Sequence, residues 1–319
     1  MTTSQPPLRI GFACLDSSHC TAFTRLLQNA PNAPSDPLHR ANAQITVGWP
    51  GGSPDFPLSH DRVAGFTAEM QQLGVHIAAS LDELLEQVDA VILGAVDGRQ
   101  HVQLARQIFP AGLPVFVDKP LAHNLEAARE VAEIGRQTNT PWFTASALRY
   151  QRALTSTLTE LQADAITGCD CYGTLRHGRD HLELAWYGIH GLEALYAVMG
   201  PGCHTVSRIR TDCGDITVGH WPNGRLGTFR ALPAGCQPEG FGLTIFGTQH
   251  IRSLQFPATY DELLAVIIQF FRTRRSPVPH SESLEIFAFM HAAEESSRNY
   301  GIPVQLDSAT SAIFRDYNP

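Results

Sequence analysis

The sequence predicts an α/β fold in two parts, a doubly wound parallel sheet over residues 1–148 and an α+β domain with a largely antiparallel open sheet over residues 149–319. Three observations predict it. Asp89-Ala90-Val91-Ile92-Leu93-Gly94-Ala95-Val96 and Pro114-Val115-Phe116-Val117 are buried-strand runs flanking a helical stretch that starts at Asp97-Gly98-Arg99-Gln100-His101. Strand, helix and strand at that spacing form a βαβ unit, which requires parallel strands. The second run breaks off in Asp118-Lys119-Pro120, which delivers a carboxylate and an ammonium to the carboxyl end of a strand. Open parallel sheets bind their ligands there. Beyond residue 149 the chain turns strand-rich, with an Asn223-Gly224 hairpin signal between β-prone flanks.

Taken in order, Leu8 to Leu15 reads as the first strand and Cys20 to Gln28 as the helix after it. Ile45 to Trp49 is the second strand, and Asp61 to Leu73 is helical. Ser80-Leu81-Asp82-Glu83 is a capping box that opens a short helix. The βαβ unit follows, then a helix from about Leu125, then Trp142 to Ser146 as the last strand of the parallel sheet. Pro120 biases Lys119 toward an extended backbone and permits a cis peptide there. In the second part, helices are expected over Arg149 to Leu161, Gly188 to Met199, Tyr260 to Arg272 and Ser281 to Tyr300. Strands are expected near Val206 to Arg210, Asp215 to His220, Gly227 to Ala231, Gly242 to Phe246 and Ile251 to Gln255.

Composition narrows the function classes. A chain of 319 residues, 43% apolar and 17% charged, can bury two cores. A formal charge of −8, without a basic run, argues against nucleic acid or anionic membrane as partner. The first residues lack a signal-peptide pattern, and no apolar run approaches the roughly 20 residues that span a bilayer. Seven dispersed cysteines, Cys14, Cys20, Cys169, Cys171, Cys203, Cys213 and Cys236, form no C-x-x-C pair and read as free thiols. The expectation is a cytoplasmic protein.

The first turn is unusual for such a sheet. A dinucleotide-binding fold places G-x-G-x-x-G there, and the three glycine positions fall on Cys14, Asp16 and His19. Two readings follow. Ser17, Ser18 and the helix N-terminus bind a shifted phosphate, with Asp16 capping the helix; alternatively the nucleotide site has been lost or converted. The second strand ends in Trp49-Pro50-Gly51-Gly52-Ser53-Pro54, without the acidic residue that reads an adenosine ribose, so NAD and NADP are not distinguished. Ser53 and Arg62 could meet a 2′-phosphate or be ordinary surface residues.

Asp118-Lys119-Pro120 resembles the Glu-Lys-Pro tripeptide of the Gfo/Idh/MocA oxidoreductases, and Val96-Asp97-Gly98-Arg99-Gln100-His101 resembles their strand loop ending in histidine. The resemblance implies a Rossmann-type domain followed by a substrate and oligomerisation domain. It implies NAD(P)-dependent oxidation or reduction of a hydroxyl or carbonyl on a sugar, polyol or similar small polar molecule. Lys119 and His190 would be catalytic. Asp16, Ser17, Ser18, Val96, Asp97, His101, Asp118 and Lys119 would meet the cofactor, NAD or NADP. His19, Arg149, Tyr150, His181, Trp186 and Tyr187 would meet the substrate. Family members carry Asp-x-x-x-His on the helix that here reads Trp186-Tyr187-Gly188-Ile189-His190, so the aspartate is replaced by Trp186. Tyr187 or Asp180-His181 could compensate, and His190 could instead be a core histidine. Arg149-Tyr150 could bind a substrate carboxylate or hydroxyl, or cap an interdomain interface. His177-x-x-x-His181 with His190 lacks a zinc pattern, so no metal is expected. The partners expected are a small-molecule substrate and further copies of this chain through the C-terminal sheet. Two other functions are compatible: a ligand-binding or scaffold protein with a degenerate nucleotide site, and a lyase, hydrolase or epimerase using transiently reduced NAD.

Overall fold

The structure, a computed structural model, describes residues 6–30, 36–38, 41–162, 164–176, 178, 180–212, 214–233, 235, 240–257 and 259–306. Cys213, Cys236 and His177 lie outside the described residues. The chain divides into two compact units. One comprises Met1–Ala122, Glu130–Thr144 and Tyr260–Pro277; the other comprises His123–Arg129, Ala145–Thr259 and Val278–Pro319.

The first unit is built on six parallel strands. β1 (Leu8–Ala13) leads through α1 (His19–Gln28) to β2 (Ala43–Trp49), and α2 (Pro57–Gln72) leads to β3 (His76–Ile77). α3 (Leu81–Gln87) precedes β4 (Ala90–Leu93), α4 (His101–Ile108) precedes β5 (Val115–Val117), and α5 (Leu125–Thr138) precedes β6 (Trp142–Phe143). The spatial order is β3-β2-β1-β4-β5-β6, so the chain reverses direction across the sheet between β1 and β4. Ligands bind at such a switch point. Strands buried on both faces need continuous apolar runs, and Ile10, Phe12, Val91, Ile92, Val115, Phe116 and Val117 are all fully buried.

Three departures from the sequence reading have local causes. β1 stops at Ala13 because Cys14 turns left-handed, with φ 71°. α2 begins at Pro57 instead of Asp61, since a proline at the first helical position sacrifices no hydrogen bond. β3 has two residues and carried no legible pattern. The capping box forms with a shift: Ser80 Oγ accepts from Glu83 N at 3.1 Å, while the Glu83 carboxylate accepts from Ala79 N at 2.7 Å, one residue before the expected donor.

The second unit opens with a 3-10 turn at Ala147–Tyr150, then α6 (Arg152–Glu160) and β7 (Ile166–Thr174). α7 (Gly188–Met199) matches its expected bounds. β8 (Thr205–Thr211), β9 (Gly214–His220), β10 (Leu226–Leu232), β11 (Phe241–Gly247) and β12 (Ile251–Phe256) follow. Beyond α8 (Asp261–Thr273) and α9 (His280–Arg298), β13 (Val304–Gln305) completes a seven-stranded sheet in the order β12-β11-β7-β10-β9-β8-β13. Neighbours pair antiparallel except β7 with β10. The expected hairpin joins β9 to β10 through a wider loop, with Asn223 at φ 62°. α7 lies close on the sheet because a Cβ at Gly191 would stand 2.3 Å from the Phe229 ring. Among the described residues no helix is long and apolar enough to cross a membrane.

α8 was expected with the second part of the chain, yet it packs into the first unit. Its apolar stripe explains this. Leu263, Leu264, Ile267, Ile268, Phe270 and Phe271 are buried, and the Phe270 ring meets Phe143 of β6 edge-on at 4.8 Å. Arg272 donates to Ala41 O and Arg274 to Gly112 O, both in the same unit. Phe270→Ala is therefore expected to cost about 3–5 kcal/mol in urea unfolding followed by tryptophan fluorescence. A loss under about 1 kcal/mol would contradict this packing.

Candidate functional site

The residues at the three glycine positions each make a specific contact. Cys14 keeps the left-handed backbone a glycine would supply. Its N–H donates to Trp49 O at 2.9 Å, and Leu15 N donates to Pro50 O at 2.8 Å. The turn is thus laced to the chain leaving β2. The glycine requirement moves to Gly51, where a Cβ would stand 2.6 Å from Cys14 Sγ.

Asp16 does not cap α1. The N-cap position is Ser18, whose side chain is exposed and makes no capping bond. The Asp16 side chain turns inward, 1% exposed. Its Oδ1 accepts from Val96 N at 3.0 Å and its Oδ2 from Ser59 Oγ at 2.5 Å. Burial raises the Asp16 pKa above the aspartate range, against the hydrogen bonds from Ser59 and Val96. Ser17 is buried, and its hydroxyl accepts from His19 N at 3.3 Å.

His19, at the third glycine position, meets Asp118. Its Nδ1 lies 2.6 Å from Asp118 Oδ2, both groups are buried, and the ring stacks on Phe23 with Tyr260 edge-on. Asp118 Oδ1 accepts from Lys119 N at 2.8 Å, and the Lys119–Pro120 peptide is cis. Burial opposes ionisation of Asp118, but the His19 imidazole and the Lys119 ammonium hold its pKa below the aspartate range. Lys119 is part-buried, and burial lowers its pKa; Asp118 opposes this and Arg62 of α2 adds to it.

Asp97 is fully buried at the end of β4. Ser53 Oγ donates to its Oδ2 at 2.6 Å, and Arg99 Nε donates to its Oδ1 at 2.9 Å. Burial raises the Asp97 pKa, but Arg99 and Ser53 outweigh it and leave the group below the ordinary range. Arg99 also reaches Asp55 at 3.1 Å. Ser53, read as a possible surface residue, is buried and donates its N–H to Ser59 Oγ at 2.8 Å. His101, expected from the resemblance to meet the cofactor, has both ring nitrogens engaged by backbone carbonyls. It is completely buried, with Nδ1 2.9 Å from Leu121 O and Nε2 3.0 Å from Ala95 O, so it ties the β4 loop to the chain beyond Pro120.

In the second unit, His190 Nδ1 lies 2.7 Å from Ser146 Oγ, with Tyr187 and Phe241 edge-on to the ring. Ser146 also accepts from Leu148 N and so fixes the 3-10 turn. Arg149 does not point outward. Its Nε meets Glu193 Oε2 at 2.5 Å and a terminal nitrogen stands 2.7 Å from Glu282 Oε1, both carboxylates belonging to buried residues. The Tyr150 hydroxyl is buried with no hydrogen-bond partner among the described residues, and burial raises its pKa. Trp186 is buried edge-on to His181, 5.1 Å between centroids, and Arg176 lies over the Tyr187 ring. Sequence reasoning assigned no role to Ser146, Ser59, Arg99, Glu193 or Glu282. Only their partners' positions reveal them.

The His19–Asp118 contact generates a test. His19→Asn leaves the Asp118 carboxylate buried without its imidazole and is expected to cost up to about 3–5 kcal/mol at neutral pH. A carboxylate whose folded-state pKa is depressed stabilises the fold above its unfolded value of about 3.9 and ceases to do so as pH falls below it. The difference between wild type and His19→Asn in urea melts should therefore be full at neutral pH and shrink below about pH 4. A pH-independent difference would assign His19 a packing role alone.

The model of the oxidoreductase family with an NAD-binding Rossmann fold matches residues 59–145. No curated protein matches the sequence itself. Among solved structures, the fold is similar to that of scyllo-inositol dehydrogenase from Lactobacillus casei with bound NAD(H) and scyllo-inositol, at 13% identity and TM-score 0.73, covering 94% of this chain and 99% of that one. It is similar to GenD2 from gentamicin A biosynthesis in complex with NAD, at 14% identity and TM-score 0.73, covering 96% and 98%. It is also similar to an NAD-binding protein from Listeria innocua, at 15% identity and TM-score 0.69, covering 93% and 96%. Residues 59–145 thus match the NAD-binding Rossmann model of this oxidoreductase family, and the two-part fold as a whole is similar to that of these solved structures.

Proposed function

We propose that this protein is an NAD(P)-dependent oxidoreductase that interconverts a hydroxyl and a carbonyl on a sugar, polyol or similar small polar molecule. The observation that carries this reading is Lys119, placed at the carboxyl end of β5 with its ammonium pKa lowered by burial and its backbone fixed by Asp118. A lysine with a lowered pKa can hydrogen-bond the reacting oxygen and pass its proton.

The cradle fits a dinucleotide with one exception. The α1 N-terminus, the exposed Ser18 hydroxyl, and Val96 and Asp97 beyond β4 suit a diphosphate and a ribose. The exception is the buried Asp16 carboxylate. A bound nicotinamide would supply the hydride acceptor or donor. The loop leaving β2 is where such folds read the adenosine ribose. Arg99, a cation that reaches this loop, is held by both Asp97 and Asp55. A 2′-phosphate would compete with two carboxylates for it, which supports NAD over NADP.

His190 is the proposed acid–base partner, its ring orientation set by Ser146. Trp186, buried where relatives carry an aspartate, makes its surroundings less acidic and offers an apolar face to a sugar ring. The unpartnered Tyr150 hydroxyl is a group that a hydroxyl-bearing substrate would satisfy.

Turnover is testable on a panel of cyclic polyols and sugars with NAD and NADP, read by nicotinamide absorbance. Lys119→Ala should lower it roughly 10²–10⁴-fold with folding intact. Lys119→Arg should be nearly as poor, because a guanidinium keeps its proton. An active Lys119→Arg enzyme would reduce the lysine to an electrostatic anchor. His190→Asn should remove a pH–rate limb near the histidine reference value of about 6.5. A limb that survives would return His190 to the role of core histidine.

A further inference from the structure

Asp16 occupies the point of the fold at which a dinucleotide groove admits no side chain. It follows β1, Val96 follows β4, and these are the two strands flanking the switch point. The second fingerprint glycine exists so that the backbone can approach a pyrophosphate. Here a carboxylate spans the crevice and takes up the Val96 N–H at 3.0 Å and the Ser59 hydroxyl at 2.5 Å. A backbone N–H and a hydroxyl aimed at one anionic oxygen pair are the donors that a phosphate oxygen would use.

We propose that the Asp16 carboxylate is a built-in anion in the dinucleotide groove, and that a nicotinamide dinucleotide binds with uptake of one proton at this side chain. The inference rests on the reading of this crevice as the cofactor site. The groups facing Asp16 are Asp97 from the β4 loop, the Ser59 hydroxyl from α2, and the thiols of Cys14 and Cys20 from its own turn and α1. No cation forms an ion pair with Asp16 among the described residues, and Asp97 faces it with like charge. Arg99, the cation at this edge, is engaged by Asp97 and Asp55. A diphosphate arriving beside an ionised Asp16 would add a third anion next to Asp16 and Asp97.

Protonation resolves this conflict. The proton comes from bulk solvent onto an Asp16 oxygen; the neutral acid can then donate to Ser59 Oγ, which still accepts from Ser53 N at 2.8 Å. The oxygen left facing Val96 N–H is then uncharged and a weaker acceptor, so that N–H can turn to an anionic ligand oxygen. Burial already raises the Asp16 pKa, so the free protein is poised for the step. The sign of the linkage follows. Below the free-protein pKa, affinity is independent of pH; above it, binding takes up a proton and the dissociation constant rises about tenfold per pH unit.

Isothermal titration calorimetry with NAD⁺ and NADH tests this, run across mildly acidic to mildly alkaline pH in two buffers of different ionisation enthalpy. Wild type should bind more weakly as pH rises and take up close to one proton. Asp16→Asn should bind at least tenfold more tightly at the alkaline end, with a flat pH profile and no proton uptake. Ser59→Ala removes a hydrogen bond that favours the anion, so it should move the fall in affinity to higher pH. This second variant keeps the proposal testable if Asp16→Asn does not fold. Wild-type binding that is pH-independent, or an Asp16→Asn profile that matches wild type, overturns the proposal and leaves the cofactor reading standing. No binding of either nucleotide by wild type and both variants overturns the cofactor reading, and the proposal with it.

Discussion

A dinucleotide groove ordinarily demands bare backbone at three positions of one turn, and the C-terminal edge of the first sheet is organised by the side chains that stand there. Cys14 holds the left-handed turn and hands the close approach to Gly51. Asp16 crosses from the end of β1 to the end of β4. His19 crosses from the start of α1 to the end of β5. The three substitutions therefore tie the strand ends β2, β4 and β5 to a single turn. A small side chain at Asp16 would free Val96 N–H and the Ser59 hydroxyl, and one at His19 would free the buried Asp118 carboxylate.

Three buried carboxylates line this edge, and their surroundings drive them apart. Asp97 is answered by Arg99 and Asp118 by His19 and Lys119, so both are held ionised. Asp16 is answered by an amide and a hydroxyl, with no ion pair among the described residues, and is pushed toward the neutral acid. Like residues acquire different protonation states through such differences in environment, and acid–base roles divide along them. The same contrast appears in the second unit. There one cation, Arg149, serves both Glu193 and Glu282, and burial together with the second carboxylate raises the Glu193 pKa.

The parallel sheet and α7 were legible because their signals are local. Apolar runs of four to eight residues bounded by turn residues encode strands, and the 188–199 segment ends at a glycine. β3 and β13 were not legible, since two residues carry no period. The placement of α8 was not legible either, because an apolar stripe does not name the surface it will cover. The strand-end position of Lys119 was legible in the run that precedes it, and β5 does end at Val117. The partners of His101 and Arg149 were not legible, because a charged or polar side chain in a loop gives no sign of a buried partner far away in sequence. Ser146 and Ser59 were invisible for the converse reason. A serine is unremarkable until the group it holds is known, and His190 and Asp16 lie 44 and 43 positions from them.

The spatial pairing of the departures bears on whether the site has decayed. Drift at a disused groove would leave buried polar atoms without partners, each costing roughly 1–3 kcal/mol. Instead, the histidine at a glycine position meets the aspartate that precedes Lys119, at 2.6 Å. The aspartate at another glycine position has both oxygens bonded, and the serine it meets is itself bonded to the β2 loop. The His19 imidazole and the Asp118 carboxylate satisfy one another beside the end of β5. Lys119 N–H then keeps its carboxylate at 2.8 Å. The groove is built around satisfied partners, with the backbone of its lysine fixed at the strand end.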